Sequence, residues 1–353
     1  MLDCFAAKDT TFLMTVYYIA GLERGAGATA FASSLALMFK EQGRKAGYFK
    51  PVAVVEGVEY SGDPDTSFCR AQLGLDDPVA LAPRAEKAEA LAGGLPAETR
   101  AAITQRWPKI SSGKDAMFVE GLPCGGQMAA ASADLATTLD ARVVLVARYR
   151  RAMDIAQIVA AKERFGARFA GVVLNAVPPY SQRVAMEETR TALEAKGVRV
   201  LGLIPEDRVL VGFSVADYSK TLGGRILNNE ERVGDIVENI LVGALLLGET
   251  ASYYERKPNM ALVTRGDRPD LQWNALDAST RCVILTGGKE PIAYVREKAH
   301  NKDVPLVMVP MNTVEAAARI DQFVTRPSFY YPQKLARFRE LLREHVNLAT
   351  FAL

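Results

Sequence analysis

Along this chain, short apolar runs rich in β-branched residues alternate with longer stretches in which apolar residues recur three and four apart. The first kind reads as strand and the second as amphipathic helix, and their alternation predicts a parallel sheet covered by helices. TVYYIAG (15–21) predicts the first strand; TAFASSLALMFKEQG (29–43) predicts the helix behind it, stopped at Gly43. Further strands are expected at 46–51, 116–121, 142–147, 171–177 and 198–205, with helices between them, for example around 151–165 and 181–196. These runs are continuously apolar rather than alternating, as strands buried on both faces are.

A second, smaller α/β unit is expected from about 214. Its helix at 232–247 leads to a strand at 260–264, and a helix at 269–278 leads to a strand at 282–288. A helix at 291–300, a strand at 305–310 and a helix at 313–324 follow. From Pro332 the tail has amphipathic spacing with mixed charges, suiting a helix that docks on its own domain or on a twin subunit. The expected partition is an N-terminal extension (1–13), a first domain (14–213), a second domain (214–330) and a C-terminal helix (331–353).

Composition narrows the classes. A length of 353 residues points to two domains, since single cores rarely grow past about 250 residues. A net charge of +2 is close to neutral, which argues against nucleic acid or an anionic membrane as partner. The apolar stretch 240–248 is too short to span a bilayer, and residues 1–13 lack the layout of a signal peptide, with Met14 an alternative start. Cysteines at 4, 69, 124 and 282 show no CxxC spacing and suit a reducing cytoplasm. Two histidines, His300 and His345, argue against a histidine metal site or a catalytic triad.

The chemistry concentrates in GLERGAGATA (21–30), between the first strand and the first helix. Gly21, Gly25 and Gly27 permit tight turns and close approach of an anion, and the helix N-terminus adds its dipole. Thr29 falls where a phosphate-loop hydroxyl would ligate Mg²⁺, and Arg24 lies in the same loop. The strict G-x-x-x-x-G-K-[ST] pattern fails at Leu22 and at Ala28. On spacing alone, a phosphate cradle and a ligand-free turn both remain open.

The segment YYIAGLERGAGATAFASSLALMFKEQGRKAGYFKPV resembles the dethiobiotin synthetase-like domain at the N-terminus of long phosphotransacetylases. That domain belongs to the dethiobiotin synthetase and cobyrinic acid diamide synthase group of P-loop proteins. DPDTSFCRAQLGL, FVEGLP, GVVLNAVP and LGLIPEDRVLVGFSVADYSKTLGGRIL continue the likeness. VTRGDRPD and VILTGGKEPI resemble the DRTGG domain that follows in those proteins. The resemblance covers roughly residues 14–325. It implies a P-loop NTPase-like α/β domain, with a parallel sheet and helices on both faces, followed by a smaller α/β DRTGG domain.

The resemblance also assigns residues. Thr29, Asp65 and Glu120 fall on Mg²⁺-associated positions, Lys50 on a lysine facing substrate and phosphate, and Asn175 on an adenine-contacting amide. The family's loop lysine falls at Ala28 and is absent. Other readings stand beside these: Asp65 caps a helix starting at Thr66, Glu120 pairs with Lys50, and Asn175 closes a strand end. In the second unit, Asp267, Arg268 and Asp270 either bind a ligand or fasten the loops together. Gly287 and Gly288 offer an anion-friendly turn. A homo-oligomer, a dimer by this resemblance, is expected.

Three functions follow as expectations. One is a regulatory protein binding ATP or ADP with Mg²⁺ at a degenerate P-loop, with little or no hydrolysis and no acetyl transfer, acting on some partner protein. Another is an ATP-dependent carboxylate-activating ligase of the dethiobiotin or cobyrinic acid diamide synthetase type. The third is a structural subunit with a non-functional nucleotide site.

Overall fold

The computed structural model describes residues 14–55, 62–75, 83–243, 250–324 and 328–353, so the expected extension 1–13 lies outside the described residues. Residues up to Glu206 together with Leu335–Leu353 form one compact unit, and Asp207–Lys334 form the other.

The first unit is built on β1 (Thr15–Gly21), β2 (Ala46–Phe49), β3 (Val52–Val55), β4 (Arg84–Lys87), β5 (Ala116–Glu120), β6 (Arg142–Arg148), β7 (Phe169–Val177) and β8 (Val200–Pro205). Six of them make a parallel sheet in the order β2-β5-β1-β6-β7-β8, while β3 and β4 pair as a separate parallel ribbon. β1 has β5 and β2 on one side and β6, β7 and β8 on the other, so its C-terminal end marks the switch point where such sheets open a crevice. Side chains alternate across β1. Val16, Tyr18 and Ala20 join a core that includes Ile103, Leu135, Ile158 and Leu193 from the covering helices. On the opposite face Tyr17 stacks on Phe118, which Phe39 of α1 (Ala28–Glu41) meets edge-on.

The C-terminal segment completes this unit. Val346 bridges Gly202 of the edge strand β8, Asn347 donates its N–H to the Leu201 carbonyl at 2.8 Å, and Phe351 packs between Tyr17 and Phe31. Covering an edge strand removes a row of free backbone groups.

The second unit adds the short pair β9 (Phe213–Ser214) and β11 (Ile236–Val237) and a five-stranded sheet. In that sheet β10 (Arg225–Ile226), β15 (Leu306–Met308), β14 (Thr280–Thr286), β13 (Met260–Arg265) and β12 (Asn239–Val242) lie in that order. Only the β10–β15 pairing is antiparallel. Ala261, Val263, Cys282 and Ile284 face one buried cluster, and Met260, Leu262, Val283 and Leu285 face another, so this sheet too is covered twice.

The helix expected at 232–247 is not there. Glu230–Arg232 is a single tight turn, and the described part of the stretch forms β11 and β12. Ile236, Val237, Ile240 and Val242 are β-branched, and pairing of Asn239–Val242 with Met260–Val263 outweighs their helical spacing. No helix among the described residues is long and apolar enough to cross a membrane.

Within the second unit, the Lys334 side chain is wholly buried. Its Nζ donates to the Ser328 carbonyl at 2.5 Å and lies 5.6 and 5.4 Å from the ring centres of Phe213 and Tyr331. Burial lowers its pKa to about 8, with Asp217 offsetting only part of the shift. An amine whose pKa falls on folding costs stability below pH 8, where both states carry the proton. Stability then recovers between pH 8 and about 10.4, where the unfolded chain binds more protons. We expect Lys334→Met to stabilise the protein at pH 7 by up to about 3 kcal/mol. It should also remove this component of the rise above pH 8, both read from urea midpoints across pH. A variant less stable than the parent throughout would contradict the assignment.

Candidate functional site

The glycine turn leaves the end of β1 and enters α1 at the C-terminal edge of the first sheet. Leu22 donates its N–H to Val146 of β6 at 2.8 Å, and the loop after β5 holds the other side, Cys124 N–H to Gly21 O and Gly125 N–H to Leu22 O. Gly27, the residue preceding α1, takes φ 107°, a left-handed conformation that disfavours any side chain. Asn175, at the end of β7, donates Nδ2 to the Ala26 carbonyl at 2.8 Å and accepts from the Ala176 N–H. A Cβ on Gly27 would stand 2.4 Å from that Nδ2. The expected adenine-contacting amide is thus placed as a brace under the turn.

α1 begins with no side-chain cap and no acidic residue in its first turn. Its first N–H groups have no acceptor within the helix, and its dipole is positive at this end. Thr29 is half-buried in that first turn. Gly25 has open space on its Cα, and exposed Arg24 reaches the Val54 carbonyl. The Glu23 carboxyl is pushed up by burial, against the charges of Arg150 and Arg148 and a hydrogen bond from the Arg148 N–H. The RYRR run at 148–151 therefore brings two basic residues to the same edge; its position just after a strand was the signal available in the sequence.

Beside the turn lies a buried ionic cluster. β2 and β5 pair with Phe49 opposite Val119, which sets Lys50 next to Glu120, and β1 pairs Ile19 with Glu120. Lys50 Nζ lies 2.8 Å from Asp63 Oδ1 and 3.2 Å from Glu120 Oε1, and it pairs with Asp65 Oδ2. Tyr48, on β2, donates its hydroxyl to Glu120 Oε2 at 2.5 Å. The cap of α2 (Pro64–Leu73) is Asp63, not Asp65: Asp63 Oδ2 accepts from the Thr66 N–H and hydroxyl, and Pro64 opens the helix.

Burial alone would lower the pKa of Lys50; the charges of Glu120, Asp65 and Asp63 outweigh it and hold the ammonium above its ordinary range. Burial, then the charge of Asp65, raises Glu120 to about 7, against the pull of Lys50 and the Tyr48 hydroxyl. Lys50, Asp65 and Glu120 are therefore brought together as expected, joined by Asp63 and Tyr48, which sequence reasoning missed. The side chains present do not fit Mg²⁺. The carboxylates expected to hold it, Asp65 and Glu120, are engaged by an ammonium.

In the second unit, β13 and β14 deliver their loops to one sheet edge. Asp267 joins Arg265 at 2.6 Å and Lys289 at 3.0 Å, which lowers its pKa to about 2, and Arg268 grips Asp270 through Nε and Nη2. Asp267, through Lys289, ties the loop after β13 to the loop after β14, while Asp270 is paired within its own loop. Gly287 and Gly288 do not offer free amides: their N–H groups bond the Met311 and Val309 carbonyls at 2.8 and 3.0 Å. The following helix starts only at Ala293, so the expected anion-friendly turn is closed.

Residues 15–213 match a family described as an AAA domain, and residues 217–323 match the DRTGG domain. The chain is 24% identical to the phosphate acetyltransferase of Nitrosomonas europaea, over 95% of this chain and 51% of that protein. It is 24% identical to the ATP-dependent dethiobiotin synthetase of Methanococcus vannielii, over 54% of this chain and 93% of that protein. A structure of cobyrinic acid a,c-diamide synthase from Mycobacterium smegmatis with bound ADP and magnesium matches with a TM-score of 0.37 at 16% identity, over 56% of this chain and 88% of that chain. The chain spans about half the length of the phosphate acetyltransferases that match most of it. The two-domain resemblance and the α/β fold class read from the sequence are borne out.

The brace under the turn is testable by a double-mutant cycle. Gly27→Ala should cost more than about 2 kcal/mol, from the left-handed backbone and the contact with Asn175. In an Asn175→Ala background the same change should cost at least about 1 kcal/mol less, because the clashing amide is gone. Additive losses in urea unfolding would contradict the contact.

Proposed function

We propose a function from one premise: the chain belongs to the AAA domain family, its matching residues followed by a DRTGG domain. The protein is a nucleotide-binding regulatory protein that holds ATP or ADP by its phosphates at residues 21–29 and turns it over slowly or not at all. The observation that carries this reading is the uncapped N-terminus of α1, opening on left-handed Gly27 with the turn braced from β6, β7 and the loop after β5. Such an end receives phosphate on main-chain N–H groups and the helix dipole.

Ala28 supplies no ammonium. A charged hydrogen bond of that kind contributes about 1.5–3 kcal/mol to binding. In catalysis, removing one preorganised donor lowers the rate by about 10²–10³-fold, and the charge it would stabilise grows during transfer. Main-chain groups can sustain binding, but they do not replace that clamp. The DRTGG unit, its Asp267 loop tied to the loop after β14 through Lys289, is the proposed output module and self-association surface, expected as a dimer. A cytoplasmic location belongs to the same reading and is supported by the free buried thiols of Cys69, Cys124 and Cys282.

The ligase reading keeps one supporting observation, the convergence of Lys50, Asp65 and Glu120 beside the turn. It requires ATP consumption stimulated by a carboxylate substrate.

Calorimetry with ATP and with ADP, alongside a phosphate-release assay, tests the proposal. We expect saturable binding of both and phosphate release at background level. Ala28→Lys should tighten ATP binding by about 10- to 150-fold, the equivalent of one charged hydrogen bond. Absence of heat at millimolar nucleotide would contradict the proposal and leave a structural subunit; brisk phosphate release by the unmodified protein would contradict the claim of slow turnover.

A further inference from the structure

We infer that Lys50 is the resident cation of the phosphate site, occupying the carboxylates a divalent ion would need, so that this chain binds its nucleotide without a metal. The inference rests on the nucleotide-binding reading above for its second half; its first half stands on the cluster itself.

Mg²⁺ demands near-octahedral oxygen ligands at about 2.0–2.1 Å and gives up its waters reluctantly. Five of the six carboxylate oxygens here already pair with the ammonium or accept a hydrogen bond. Lys50 Nζ meets one oxygen from each of Asp63, Asp65 and Glu120. An ammonium has three N–H donors, and three carboxylates face it. The second oxygen of Asp63 accepts twice from Thr66, and the second oxygen of Glu120 accepts from Tyr48.

The lysine is not a loose surface chain that steps aside. Its side chain is 13% exposed, and those of Asp63 and Glu120 are 6% and 7% exposed. The register of β2 on β5 fixes the position of its backbone beside Glu120. A metal entering this cluster would have to expel the ammonium or sit against it. Expulsion strips three ion pairs from a buried amine, and coexistence places like charges together where water screens them little.

The test reads metal and nucleotide separately. Mn²⁺ is titrated into nucleotide-free protein and followed by electron paramagnetic resonance; ADP is titrated calorimetrically in EDTA and again in Mg²⁺. The unmodified protein should show no saturable Mn²⁺ site, and its Kd for ADP should change less than about fivefold between the two buffers, below the range of linked sites. A saturable Mn²⁺ site, or a larger change in Kd, overturns the inference.

Lys50→Met, if it folds, should acquire one Mn²⁺ site; a folded variant blind to Mn²⁺ overturns the inference. Should Lys50→Met fail to fold in EDTA, Lys50→Arg decides: it keeps a cation and should fold and remain blind to Mn²⁺, whereas Mn²⁺ uptake by it is contradictory. If ADP binds in neither buffer, the nucleotide reading falls, and the Mn²⁺ titrations still decide whether Lys50 holds the cation position.

Discussion

One ammonium allows three carboxylates to lie side by side, largely out of water, at the edge of the first sheet. Without Lys50, Asp63, Asp65 and Glu120 would repel one another in a place where water screens them little. Removing one member of a buried ionic set commonly costs about 3–5 kcal/mol, because the remainder is left uncompensated. The constraint reaches outward from there. Asp63 must also start α2, Glu120 must end β5, and Tyr48 must turn its hydroxyl toward Glu120. β-sheet register, helix capping and electrostatics all converge on this point.

The glycine turn next to it follows different physics. Its shape is set by main-chain hydrogen bonds to Val146, Cys124 and Gly125 and by one side-chain amide, that of Asn175. None of these needs a charged side chain, so the geometry stands with alanine at position 28. In the proposed function, keeping a cradle without that clamp separates holding a phosphate from transferring it. That separation is what a sensor needs and what a kinase or ligase cannot accept.

How much of this was legible in the sequence differs by element. The six strands of the first sheet stood out because burial on both faces makes continuous apolar runs, and Tyr17 and Tyr18 reach separate cores as that pattern requires. The stretch 232–247 misled because Ile236, Val237 and Ile240 satisfy a helical spacing as well as a strand; only pairing with Met260–Val263 decides, and partners 21 residues away leave no local mark. Asp63 was hidden behind Asp65, since either could cap α2 and Pro64 favours the earlier one. Gly287 and Gly288 looked free until the carbonyls of Val309 and Met311 came back across the sheet edge to meet them. The return of Leu335–Leu353 to the first unit is a property of tertiary packing, carried by Val346 and Phe351, to which the amphipathic tail alone did not assign a destination.

The central claim is that a lysine holds the place of a metal beside an otherwise intact phosphate cradle. Anomalous diffraction from crystals grown with ADP and Mn²⁺ tests it most directly. The account predicts diphosphate density against residues 21–29, Lys50 Nζ still among Asp63, Asp65 and Glu120, and no anomalous peak in the cluster. A manganese peak between Asp65 and Glu120, with Lys50 turned away, would contradict it.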